Sequence, residues 1–274
     1  MSPPRTLSIL CFGDSLTSGF HAGGRESHPY SIAFAAQVRE ALPDTKLYVY
    51  TNGKPGDVAS LAPFHQRLQA ECGFRTPPFL PKGTTRHEPR NKRHHDWLII
   101  LGGTNDLAYM IPPQQMYESF QATWDVALAK GTKVLALTIP ESKAQPAWVV
   151  ENRSEINSLI LAHRQPNYHA LDLHAKLPYH SLSADDRDKY WDDGLHLTDQ
   201  GYDWMGRHVA DGFLAALSSV NRGAGAAGAE EPAPAPSGSQ RPVRTNDRTV
   251  FEEESGHPGR LSEGYVVVRK KDLW

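Results

Sequence analysis

Ser15 is the first residue of this chain that is both reactive by type and placed to use that reactivity. It follows an apolar run, in Phe12-Gly13-Asp14-Ser15-Leu16-Thr17, where a turn would aim a hydroxyl outward. A serine attacks an acyl carbon only when a base takes its proton and a third group holds that base in the right tautomer. The segment Tyr190-Trp191-Asp192-Asp193-Gly194-Leu195-His196 offers both from one short loop. Asp192 and Asp193 compete for the orienting role, and with 13 histidines in the chain the spacing, not the residue type, makes His196 the candidate. The oxyanion of a tetrahedral intermediate also needs donors where charge develops, and a side-chain amide serves well. Asn105, in Leu101-Gly102-Gly103-Thr104-Asn105-Asp106, is such a donor, or else an Asx-type turn residue. Asn52-Gly53-Lys54-Pro55-Gly56-Asp57 adds a glycine N–H ahead of a helix, an ordinary turn being the more natural reading for Gly53 than for Gly56.

These residues need elements to position them, and the pattern alternates strand and helix. Short apolar, β-branched runs occur at residues 7–12, 46–50, 97–101, 133–139 and 169–173. Helical stretches are expected at 31–42, 57–70, 113–130, 148–163 and 198–217. Pro43 closes the first of these, Asp57 opens the second, and Gly131 stops the third. Thr198 is placed to cap the last. Runs without clean alternation suggest strands buried on both faces, so the expected architecture is α/β, a three-layer α/β/α sandwich around five parallel strands. In such sheets the site lies beyond the carboxyl ends of the strands, where Ser15, Gly56 and Asn105 all fall.

Taken together, the four segments resemble the SGNH (GDSL) hydrolase family, named for Ser, Gly, Asn and His in successive blocks. Gly13-Asp14-Ser15-Leu16 matches the first block, Gly56 the second, Gly102-Gly103-Thr104-Asn105-Asp106 the third, and Asp193-Gly194-Leu195-His196 the last. The likeness spans residues 6 to about 218. Block two departs from many members in bringing Asn52 and Gly56 closer together. The resemblance implies a flavodoxin-like strand order of 2-1-3-4-5 and acyl-ester hydrolysis without metal or other cofactor. It assigns Ser15 as nucleophile, His196 as base and Asp193, by block spacing, as orienter. The Ser15 and Gly56 N–H groups with the Asn105 amide then make the oxyanion hole. A carbohydrate O-deacetylase, an acyl-thioesterase, or a binding protein retaining the triad are the alternatives.

Composition narrows the function classes. Twenty-nine Lys and Arg against 31 Asp and Glu give a net charge of −2, which argues against a general nucleic-acid binder or an electrostatic membrane ligand. The expected partner is instead a small-molecule, lipid or sugar ester. No stretch approaches the roughly 20 apolar residues of a membrane span. The run at 7–12 is too short for a signal core, and cleavage after it would remove the chemistry, so a cytoplasmic protein is expected. Two cysteines, Cys11 and Cys72, are no disulfide framework.

The expected domains are a hydrolase domain over 1–220, a disordered Gly/Ala/Pro-rich linker over 221–250, and a tail over 251–274 that docks as a short element or binds a partner. Residues 72–96 form a long connection before the third strand. It is read as a solvated insertion or as an overhang of the site, with Phe74 and Phe79 forming an apolar lip and basic residues favouring an anionic ester. His87, His94 and His95 lack a metal-ligand spacing with Cys72.

Overall fold

Along the strand Arg5–Gly13 (β1), Leu7, Ile9 and Cys11 face one way, Leu10 and Phe12 the other, and all five are buried. A strand buried on both faces must lie inside a sheet covered on both sides. The computed structural model, which describes residues 5–74 and 94–227, shows that arrangement. β1 is joined in one parallel sheet by β2 (Thr45–Gly53), β3 (Trp97–Leu101), β4 (Lys133–Leu137) and β5 (Tyr168–Leu171). The spatial order is β2-β1-β3-β4-β5, the flavodoxin-like order expected.

Helices α2 (Ser31–Ala41) and α8 (Asp199–Ala227) cover one face, packing Phe34, Val38, Met205 and Phe213 on Ile9, Trp97 and Ile99. Helices α3 (Ala62–Glu71), α5 (Pro113–Leu128) and α6 (Ala147–Ala162) cover the other, with Phe64, Phe120, Trp124 and Ile156 on Leu10, Phe12 and Ile100. Three short helices lie outside these layers: α1 (Ser15–Ser18), α4 (Thr104–Ala108) and α7 (Ala184–Tyr190). A two-stranded antiparallel ribbon, Phe20–His21 with Glu26–Ser27, follows α1.

Several boundaries differ from expectation for local reasons. β2 has no fully buried residue because it is an edge strand, so burial on both faces holds for β1 and β3 but not there. α3 starts at Ala62, not at 57, because Asp57 is engaged by Lys54 and Arg67 and does not cap a helix. α8 continues past residue 217 to Ala227, while Thr198 caps its start by accepting from Gly201 N at 3.2 Å.

The rest of the expected linker and the tail over 251–274 lie outside the described residues, as do residues 75–93 with Phe79 and His87. The described roots of that insertion sit at the amino ends of the strands. Asp96 N donates to the Ser8 carbonyl at 2.8 Å, and Lys130 Nζ lies 4.1 Å from the centre of the Phe74 ring. Phe74 is therefore away from the carboxyl ends and forms no lip there. Cys11 and Cys72 are free thiols, which burial pushes up to about 12 and about 11. Among the described residues no helix is long and apolar enough to cross a membrane.

Candidate active site

β1 ends at Gly13, and Asp14 starts α1 by accepting from the Leu16 N–H at 3.0 Å. Ser15 is then the first residue of that helix, where a backbone N–H has no intrahelical acceptor. The end of β2 packs directly beneath. A Cβ on Gly53 would come within 2.1 Å of Ser18 N and 2.6 Å of the Thr17 carbonyl carbon, so only glycine lets α1 and β2 approach this closely. Asp14 is fully buried, its Oδ2 has no hydrogen-bond partner, and burial pushes its carboxyl up to about 7.

From the other end of the chain, the loop between α7 and α8 folds back as a tight turn. Trp191 and Leu197, both buried, form an antiparallel bridge across it, and Asp192 N donates to the His196 carbonyl at 2.9 Å. Gly194 takes φ +86°, a left-handed conformation that suits glycine, and its carbonyl accepts from Lys143 N at 2.7 Å. This turn delivers His196 Nε2 to 3.0 Å from Ser15 Oγ, with Nδ1 2.8 Å from Asp193 Oδ2. Asp193 Oδ1 accepts from the Leu195 and His196 N–H groups at 2.9 and 2.7 Å. Burial alone would raise the Asp193 carboxyl, but these three hydrogen bonds outweigh it and hold the group below the usual carboxylate range. Asp192, the rival orienter, points elsewhere and accepts from Ala22 N at 2.8 Å.

The glycine and amide segments meet on the other flank. Asn105, in the first turn of α4, donates from Nδ2 to the Asp57 carbonyl at 2.8 Å, one residue beyond Gly56. An amide nitrogen has two hydrogens, so one remains for a ligand. Gly56 is exposed with φ +76°. Two residues brace this region, Asp106 from the third block and Arg67, which no motif marks. Asp106 is fully buried and accepts from Ala59 N and Ser60 N at 2.8 and 2.7 Å. Arg67, lying 4.0 Å over the Phe12 ring, donates to the carbonyls of Gly13 and Asn52 at 2.7 and 2.8 Å and to Asp57 Oδ2 at 2.9 Å. It thus ties the end of β1 to the Gly56 loop.

A cavity of about 520 Å³ opens between Asn105 and the Asp193–Leu195 turn, walled by Leu107, Ile139, Trp148 and Val149 with Lys143 among its lining residues. Its far wall is the segment after β4, pinned by Asn157, whose amide exchanges two hydrogen bonds with Ile139, and by Arg153, which donates to Pro140 O at 3.0 Å. Phe20 is a further residue the motifs did not single out; its ring centre lies 4.7 Å from that of His196. Among the described residues no cluster of His, Cys, Asp and Glu could hold a metal ion.

The comparisons with known proteins agree with this geometry at the level of family and fold. A model of the GDSL-like lipase/acylhydrolase family matches residues 11–204. Among solved structures, the family 3 carbohydrate esterase of Clostridium thermocellum superposes with a TM-score of 0.56 at 15% identity, over 79% of this chain and 99% of its own. A lipolytic protein of the G-D-S-L family from Veillonella parvula DSM 2008 gives 0.54 at 14% identity, over 76% and 98%. The lipase/acylhydrolase from Enterococcus faecalis gives 0.52 at 19% identity, over 76% and 94%. At these identities the likeness is one of fold. No curated protein matches the chain by sequence.

Proposed function

The chain belongs to the GDSL-like lipase/acylhydrolase family, and on that footing we propose that it is a serine esterase that cleaves a carboxylic ester through an acyl-enzyme. The observation that carries the reading is the unbroken relay Ser15 Oγ, His196 Nε2 and Nδ1, Asp193 Oδ2, at 3.0 and 2.8 Å. Ser15 Oγ attacks the ester carbon as His196 Nε2 takes its proton. The resulting oxyanion is met by the Ser15 and Gly56 N–H groups and the remaining Asn105 amide hydrogen. Collapse breaks the bond to the alkoxide, which leaves with the proton from His196. Water, deprotonated by the same nitrogen, then attacks the acyl carbon and frees Ser15 and the acid. Asp193 stays ionised throughout and stabilises the imidazolium. The apolar walls beside Asn105 suit a medium acyl or aryl group.

The test is a panel of p-nitrophenyl esters, acetate through palmitate, with an acetylated sugar alongside, on wild type and Ser15→Ala. Wild type is expected to turn over chains that the cavity can hold, and Ser15→Ala to lose several orders of magnitude in turnover. Turnover surviving in Ser15→Ala overturns the serine mechanism. Activity confined to the acetylated sugar moves the substrate class to carbohydrate O-deacetylation.

A further inference from the structure

The ribbon after α1 is not part of the relay, yet it is fastened to the loop that carries His196. Phe20 lays its ring against the imidazole, with centroids 4.7 Å apart and planes at 50°. Its own carbonyl accepts from Tyr202 Oη at 2.8 Å, which fixes the residue to α8. One residue on, His21 Nε2 lies 2.9 Å from Asp199 Oδ1, and His28 Nε2 lies 2.8 Å from Asp203 Oδ1. The Ala22 N–H reaches across to Asp192, next to the orienting carboxylate, at 2.8 Å. At the near end, Ser27 Oγ donates to Ser18 O at 2.6 Å and His28 N to Gly19 O at 2.8 Å. A ribbon whose strands are two residues each has little stability of its own. Here it is held at both ends by residues that also frame the nucleophile and the base.

We propose that Phe20 is a positioning residue for the base, pressed onto His196 by this clamp, and that it matters most after Ser15 has been acylated. The inference rests on the serine-esterase reading above. In the free enzyme the imidazole is held at both nitrogens, by Ser15 and by Asp193. Once Ser15 Oγ carries the acyl group it has no proton to give, and the Nε2 contact is lost. Rotation about the bond to a flat ring is soft, since such torsions have broad wells. The Asp193 hydrogen bond and the Phe20 ring are then what keep Nε2 aimed at the attacking water. Loss of the ring should therefore slow deacylation more than acylation.

The experiment is stopped-flow hydrolysis of the best p-nitrophenyl ester of the panel by wild type, Phe20→Ala, Phe20→Tyr and Ser15→Ala, with folding followed by melting temperature. Phe20→Ala is expected to lower kcat by roughly ten- to a hundredfold, the scale of an ångström-level misplacement. KM should not rise, and a burst of about one p-nitrophenol per enzyme should precede the slow steady state. Phe20→Tyr, which keeps the ring, should recover most of the loss. Asp192→Ala, at an exposed residue, loosens the ribbon from the other side and should reproduce the burst in milder form if Phe20→Ala does not fold. A kcat within twofold of wild type in Phe20→Ala, or in Asp192→Ala where only that variant folds, overturns the inference, as does a fall without a burst. Activity retained in Ser15→Ala is a different failure, because it removes the esterase reading and this inference with it.

Discussion

Two adjacent aspartates precede the candidate base, and their hydrogen bonds divide the labour between them. Asp193 gives one oxygen to the His196 ring and the other to the N–H groups of its own turn, whereas Asp192 holds the ribbon at Ala22. Asp193→Asn can keep the turn through its carbonyl oxygen, but it offers no charge and lets the imidazole adopt the wrong tautomer. Turnover should fall by roughly 10⁴-fold with little change in melting temperature. Turnover above a tenth of wild type would remove Asp193 as orienter. At this scale the sequence was readable where reactive residues are framed by near neighbours, as at Gly13-Asp14-Ser15 and Asp193-Gly194-Leu195-His196. Arg67 was not readable, because its partner lies 54 residues away and nothing local marks it, and Asp106, although it stands in the third block, gave no sign that it would hold Ser60 from 46 residues away. Phe20 was missed for the same reason: an aromatic residue near a motif says nothing about the ring that it will meet.

Elements position these residues through close approach, and Gly53 is where the approach is tightest. Its hydrogen faces the backbone of α1, with Ser18 N and Cα at 2.1 and 2.6 Å from where a Cβ would stand. Backbone cannot rotate aside as a flexible side chain does, so Gly53→Ala must push β2 and α1 apart. Overpacking of this kind costs about 1–3 kcal/mol. For a domain of this size that is a fall of roughly 3–10 °C in melting temperature. Because α1 carries Ser15, kcat should fall with it, even in the fraction that remains folded. An unchanged melting temperature in differential scanning calorimetry would show that α1 yields freely, and the close fit would then count for nothing. The strands were legible from their apolar runs, β3 to the residue, because burial on both faces leaves an unbroken signal. The start of α3 was not. A capping-type Asp57 reads as a helix opening, but Lys54 and Arg67 claim its carboxylate and Asp106 holds the next turn open. Competition for a side chain by distant partners is the information that local pattern lacks.

Across the whole domain, two apolar layers meet the sheet from opposite sides, and the reactive residues gather at its carboxyl edge, where β1 and β3 part toward different neighbours. That edge also buries carboxyl groups deep inside the fold, Asp14 among them. Asp14 is fully buried directly before Ser15, with one oxygen on Leu16 N and the other unpartnered. Burial, opposed only in part by the Leu16 hydrogen bond, lifts its carboxyl from 3.8 to about 7. Between those values the native chain binds a proton that the unfolded chain has released. The sign follows from linkage: the contribution to stability is fully present below the unfolded value and is lost as pH rises through the folded one. Over that window the loss is on the order of 1 kcal/mol per pH unit. Asp14→Asn retains an acceptor for Leu16 and does not titrate, so its urea midpoint should lose less than that of wild type between pH 4.5 and 7. Parallel curves for the two proteins would mean that Asp14 is ionised in the native state across the range, and that its unpartnered oxygen finds a donor there. Curves that diverge as described would mean that the fold tolerates a protonated acid beside Ser15, and that Asp14 contributes its share of stability on the acid side of neutrality.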